Sequence, residues 1–240
     1  MSSSKNRFSN IFPESDYRVV LASEPKDSGH YINAVFVPNF RHKNQHILTQ
    51  LPMPQTLVDF WRMVTEYKVS LVVTFEADTS ATDESLAEYL PSNEDQVIMC
   101  TPFKIHSASR NETDLWEEKN VTVYNKSEHH KLVHLKSKFT DLDSTKLLMF
   151  VKQLRSYDVS GKTVYMCRNG ATYSGLISVL HDLLDRLDND TLCSIPITVG
   201  LIKTVRPQAI STLEQYKALF DILSQYTENL TVISETHTAL

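Results

Sequence analysis

Apolar and polar positions along this 240-residue chain fall into runs of different period, and each period predicts an element. Residues 31–37 (Tyr-Ile-Asn-Ala-Val-Phe-Val) and 46–50 read as strands; residues 69–75 (Val-Ser-Leu-Val-Val-Thr-Phe) are a continuous apolar run, the mark of a strand buried on both faces, and 163–167 is a further buried strand. Short alternating segments between 97 and 139, among them Val121-Thr122-Val123-Tyr124 and Leu132-Val133-His134-Leu135, predict antiparallel strands. Spacings of three and four mark helices. Leu57, Phe60, Trp61 and Val64 follow Pro54, which suits a first helical turn because its missing N–H is not needed there. Leu147, Phe150, Val151 and Leu154 predict a helix over 143–156, and Leu176, Val179, Leu180, Leu183, Leu184 and Leu187 a stronger one over 172–188. A shorter helix follows Pro196 and ends before Pro207, and a last one over 212–226 carries Leu213, Tyr216, Phe220 and Leu223. The acidic, Ser/Thr-rich stretch 76–96 reads as an exposed loop. With no repeat and no linker, the sum is one α/β domain over 1–240, a twisted mixed β-sheet flanked by helices.

Charge and composition narrow the function. A net charge of −5 without a Lys/Arg block argues against a nucleic-acid groove. No apolar run reaches the ~18 residues of a membrane span, and the N-terminus is not leader-like. The three cysteines, Cys100, Cys167 and Cys193, are odd in number and widely spaced, which fits a reducing compartment. Sequons at Asn111, Asn120, Asn125, Asn189 and Asn229 are read as chance in an Asn/Ser/Thr-rich chain. His129, His130 and His134 lack the setting of a metal centre and read as a surface cluster, and no cofactor or metal is expected.

Chemistry concentrates at residues 164–175. A buried strand ends in Cys167, glycines follow at 170 and 175, and an amphipathic helix begins. That layout aims backbone N–H groups and a helix dipole at an anion beneath a sulfur nucleophile. The position six beyond the cysteine, where such a loop needs a cation, is Tyr173.

Further segments carry a resemblance to a known family. Met166-Cys167 through Tyr173-Ser174-Gly175 follows, without a gap, the frame His-Cys, five residues, Arg, Ser/Thr, Gly. Asn6-Arg7-Phe8, Tyr31-Ile32-Asn33-Ala34, Thr49-Gln50-Leu51-Pro52 with Asp59-Phe60-Trp61-Arg62-Met63-Val64, Glu88-Tyr89-Leu90-Pro91, and Arg206-Pro207 with Thr212-Leu213-Glu214-Gln215-Tyr216 supply the rest. Together they resemble a classical protein tyrosine phosphatase domain over nearly the whole chain. In character the chain is similar to the catalytically inactive, membrane-distal second domain of a receptor-type tyrosine phosphatase.

The resemblance implies a phosphate-binding loop at Cys167, Arg168, Asn169, Gly170, Ala171, Thr172 and Tyr173, degenerate in several places. Cys167 stands at the nucleophile, Met166 replaces the histidine that helps set the thiolate, Thr172 replaces a glycine, and Tyr173 replaces the phosphate-binding arginine. Arg168 lies too early to reach the same point, and the Tyr173 ring is expected to pack into the vacated arginine space and lie where a substrate phosphate would sit. The acid loop aligns with Leu135-Lys136-Ser137, placing Ser137 at the general acid; Asp141 and Asp143 lie downstream without the flanking Trp-Pro. Phe8 stands for the stacking tyrosine, Asn10 for the acid that anchors the substrate backbone, Ser211 for the first glutamine of the glutamine loop, and Gln215 keeps the second.

These losses strike successive steps. An absent phosphate clamp removes a stabilising donor that typically contributes about 10²–10³ in rate, and an absent general acid about 10²–10⁴. The expected function is a catalytically impaired regulatory or protein-interaction module in phosphotyrosine signalling, within the cytoplasmic part of a receptor. Its expected partner is a catalytic phosphatase domain in cis or a signalling protein, with at most weak phosphotyrosine-peptide binding, no nucleic acid and no membrane insertion. The alternatives are a weak cysteine-dependent phosphatase, using Cys167 with Arg168 or a downstream aspartate, and a redox sensor through Cys167.

Overall fold

The computed structural model describes residues 3–22, 29–39, 45–75, 85–158 and 160–238, with side chains described as far as 228. Nine strands form one sheet: β1 (Arg18–Val20), β2 (Tyr31–Val37), β3 (His46–Gln50), β4 (Val69–Thr74), β5 (Ile98–Cys100), β6 (Phe103–Glu112), β7 (Trp116–Asn125), β8 (Glu128–Ser137) and β9 (Lys162–Cys167). Their order is β1-β2-β3-β9-β4-β8-β7-β6-β5. The central pairs β3–β9, β9–β4 and β4–β8 are parallel, and the flanking pairs are antiparallel. The parallel centre explains the continuous apolar runs: β3 is buried at every position and β9 at all but its first.

Five helices cover the two faces: α1 (Leu57–Glu66), α2 (Ser144–Arg155), α3 (Thr172–Asp188), α4 (Ile195–Val205) and α5 (Leu213–Thr238). Alternation along the strands splits the core. Val72, Val164 and Met166 face Phe60, Trp61, Met63 and Val64 of α1, whereas Val73, Leu135 and Tyr165 face Leu147 and Phe150 of α2, Leu176 and Leu180 of α3, and Ile222 of α5.

Most expected elements lie where the periodicity put them, with corrections. Pro54–Thr56 is a 3₁₀ turn leading into α1. β6, β7 and β8 run for 10 residues each, longer than the alternating segments suggested: the outer half of β6 and the first residues of β8 are largely exposed, and the first half of β7, Trp-Glu-Glu-Lys-Asn, carries no apolar alternation. α5 extends well beyond 226. Of the acidic stretch, residues 76–84 lie outside the described residues. The remainder is not simply exposed: Leu86, Tyr89 and Leu90 pack on the α1-side core, and Pro91 is buried. His134 is no surface residue either. It is 2% exposed, and its Nε2 lies 2.9 Å from Thr74 Oγ1 and 3.1 Å from the Tyr89 hydroxyl. Burial, with Lys136 and Lys119 nearby, pushes its imidazole down to about 3, so it is neutral at ordinary pH. Among the described residues no cluster of His, Cys, Asp or Glu could hold a metal, and no helix is long and apolar enough to cross a membrane.

Candidate functional site

The parallel strands β3, β9, β4 and β8 end together, at Gln50, Cys167, Thr74 and Ser137. In an open α/β sheet the crevice beyond the carboxyl ends of the parallel strands is where ligands bind. The turn from β9 into α3 lies there. Gly170 N–H donates to Cys167 O at 3.2 Å, and Gly170 takes φ +68°. A Cβ at 170 would also run into the backbone of Gln50 and Thr49, so glycine is required by conformation and by space. Gly175 has its own constraint, since an added Cβ would come 2.7 Å from that of Ala209.

Cys167 is 1% exposed at the floor of this turn. Its sulfur lies 3.3 Å from both Asn169 Oδ1, which can only accept from the thiol, and Ser174 Oγ, whose hydroxyl is free to donate to the sulfur. The same Asn169 oxygen accepts the Ala171 and Thr172 N–H groups, both at 3.0 Å, and Asn169 Nδ2 donates to Thr172 Oγ1 at 2.7 Å. The Ala171 and Thr172 amides are therefore occupied by a carboxamide of the chain itself. The Tyr173 ring stacks on Phe75, centroids 5.1 Å apart and planes 24° from parallel, and burial, then the nearby Cys167, push its phenol up. Phe75 also meets Phe139 and Phe150 edge-on, which ties the start of α3 to the segment beyond β8 and to α2.

The acid-loop position is buried and built into structure. Ser137 closes β8 at 4% exposure, and its hydroxyl donates to Phe139 O at 3.2 Å. Asp143 caps α2 by accepting Lys146 N–H at 2.9 Å, and Asp141 pairs with Lys146 Nζ at 2.7 Å. The exposed Asp141 carboxyl is held below its usual range by the Lys146 hydrogen bond.

The N-terminal segment is fastened to the same crevice by Arg7. Its Nη1 donates to Leu51 O and Arg168 O, both at 2.8 Å, and its Nη2 to Ser85 O at 2.8 Å and Pro52 O at 3.3 Å. Gln50 Oε1 accepts Arg7 N–H at 3.0 Å, and Gln50 Nε2 donates to Lys5 O at 3.0 Å. Phe8 is thereby held half-buried, and Asn10 is exposed, its carbonyl accepting from Gln208 Nε2 at 2.8 Å. On the far side, Gln215 Oε1 accepts Ser211 N–H at 3.0 Å and Gln215 Nε2 donates to Thr172 O at 3.4 Å, so the segment before α5 is joined to the turn. Ser211 itself is exposed, next to Ile210, a β-branched residue held at φ +49°.

Arg206 lies behind the turn, completely buried. Nη1 donates to Asn33 Oδ1 at 2.9 Å, while Nε and Nη2 have no hydrogen-bond partner among the described residues. Burial pushes its guanidinium down to about 10, opposed first by Cys167, then by Tyr31 and Glu14. The sequence placed Arg206 and Asn169 in the right segments but gave neither this role; in a single sequence neither burial behind a turn nor a side chain curling back on its own loop leaves a signal.

A sequence profile described as protein-tyrosine phosphatase matches residues 2–225. Over 231 residues the chain is 27% identical to rat receptor-type tyrosine-protein phosphatase V (Rattus norvegicus), covering 91% of this chain and 13% of that protein. It is 23% identical to human receptor-type tyrosine-protein phosphatase alpha (Homo sapiens), covering 92% and 29%, and 28% identical to human receptor-type tyrosine-protein phosphatase eta, covering 98% and 19%. The chain thus spans less than a third of the length of these relatives. With the strand order, the crevice at the parallel strand ends and the profile in agreement, the chain belongs to the protein-tyrosine phosphatase family.

Proposed function

We propose that this domain is a catalytically impaired tyrosine-phosphatase-like module that works through protein contacts in phosphotyrosine signalling. Its partner is a catalytic phosphatase domain in cis or a signalling protein, and its setting is the intracellular part of a receptor, as the membrane-distal second domain. The observation that carries this reading is Tyr173: the position six beyond Cys167 presents a phenol stacked on Phe75 in place of a guanidinium fork. A serine whose hydroxyl is committed to Phe139 O at the acid position supports the same conclusion. The likeness to relatives named receptor-type supports the setting.

Turnover of an aryl phosphate at high protein concentration tests it. The expected rate is background and unchanged by Cys167→Ser; a Cys167-dependent rate well above background overturns the reading. Tyr173→Arg combined with Ser137→Asp is expected to raise turnover above that background, because it returns a clamp and an acid to the two positions.

A further inference from the structure

The site holds a second feature, separate from its missing cation, and it bears on how the site is regulated. The amides of Ala171 and Thr172, at the start of the 17-residue helix α3, converge on one oxygen, Asn169 Oδ1. The Cys167 thiol points at that same oxygen. A tetrahedral oxyanion resting on this helix N-terminus would place an oxygen there, so Asn169 and such an anion exclude one another. An independent observation lies outside the loop. Arg206 is a fully buried cation whose guanidinium, among the described residues, donates to the neutral Asn33 and leaves Nε and Nη2 unpartnered, and Cys167 on the floor of the turn is first among the groups that offset its burial.

We propose that Asn169 is a built-in occupant of the cradle, and that beneath it lies a latent oxyanion site kept shut from within. The proposal rests on the reading above that the domain works without turnover, and it adds what holds the site in its unliganded state. The tether makes the carboxamide a ligand at high effective concentration. An anion arriving from solution must displace two amide hydrogen bonds and the bond from Asn169 Nδ2 to Thr172 Oγ1. With the carboxamide gone, the helix N-terminus and the Arg206 charge favour an anion.

Titration of the whole chain with orthophosphate, followed by calorimetry and by the amide resonances of Ala171 and Thr172, tests this. The native protein is expected to be blind to phosphate. Asn169→Ala is expected to gain affinity by about tenfold or more, equivalent to ~1.4 kcal/mol, with shifts centred on those amides. Asn169→Asp, whose carboxylate can accept from the same amides, is expected to stay blind. A folded Asn169→Ala protein as blind as the native one overturns the proposal, and so does native protein that binds phosphate as tightly as the variant. Should Asn169→Ala not fold, hydrogen exchange on the native protein decides. Slow exchange at Ala171 and Thr172 is expected, and exchange as fast as at exposed loop amides overturns the proposal. Aryl phosphate turnover by the native protein would sink the functional reading alone, since the binding and exchange results judge Asn169 separately.

Discussion

Two arginines reach the turn after β9 from opposite sides, and they are satisfied in opposite ways. Arg7 comes from the front, half-buried, and spreads its fork over the carbonyls of Leu51, Arg168, Pro52 and Ser85. Arg206 comes from behind, wholly buried, with one hydrogen bond to Asn33 and two nitrogens without partners. The first joins three backbone segments, at 51–52, 85 and 168, and converts a positive charge into architecture. The second keeps its charge in reserve at an energetic cost, since a buried cation without an ionised partner is disfavoured. The contrast teaches that the crevice is still firmly assembled although its reacting groups are replaced: what holds the loops together and what would hold a phosphate are different residues.

The comparison is broken most directly at Arg7. Arg7→Met is expected to lower stability by about 4 kcal/mol, because hydrogen bonds from a charged group contribute about 1.5–3 kcal/mol each and several are lost together, partly offset by exposure. Arg7→Lys should recover little, since a point charge cannot serve carbonyls spread around a planar fork. Denaturant midpoints measure both, and an Arg7→Met protein within about 1 kcal/mol of native would show the clamp to be ornamental.

Acid sharpens the comparison from another side. His134, like Arg206, is a buried basic group whose charged form is disfavoured, and its imidazole is pushed down to about 3. The folded value lies below the unfolded value of about 6.5, so the stabilisation is complete above pH ~6.5 and declines as pH falls toward 3. Between pH ~6.5 and ~4.5 the loss attributable to His134 is about 2–3 kcal/mol. His46, also buried and shifted down by desolvation and by His181, acts in the same direction. Unfolding midpoints across that range should be flatter in His134→Gln, and an equal slope in both proteins would assign the acid sensitivity elsewhere.

The smallest effect is expected at Arg206 itself. Arg206→Met replaces a buried, under-partnered cation with an apolar chain of similar reach, and should change stability by less than about 1 kcal/mol or raise it. A loss comparable to that of Arg7→Met would mean that Arg206, too, is chiefly a structural tie.

The division between legible and illegible follows the kind of information involved. β4 and β9 announced themselves because burial on both faces leaves largely apolar runs, whereas β3, buried throughout, mixes Ile47 and Leu48 with His46, Thr49 and Gln50. The outer half of β6, exposed from Ala108 to Glu112, gave no such signal and was read short. In the site, Cys167, Gly170 and Tyr173 were legible as a frame with one wrong residue in it. Asn169 was named only as a member of the loop, because its role depends on a side chain folding back onto amides two and three residues ahead. His134 was misplaced on the surface because a lone histidine in an alternating strand does not declare which face is covered. Its partners Thr74 and Tyr89 lie 60 and 45 residues away in sequence.

The aromatic contacts around Phe75 have one more consequence. Tyr173, Phe139 and Phe150 lock onto that single ring from α3, from beyond β8 and from α2. The ground next to the crevice is thereby set before any partner arrives. Ordering a rotamer-rich side chain at an interface costs about 0.5–1.5 kcal/mol, and rings already packed against one another have little freedom left to lose. With Phe75, Phe139 and Phe150 buried and Tyr173 only partly so, the cluster acts from beneath, fixing the start of α3 and leaving that backbone little freedom to adjust on contact.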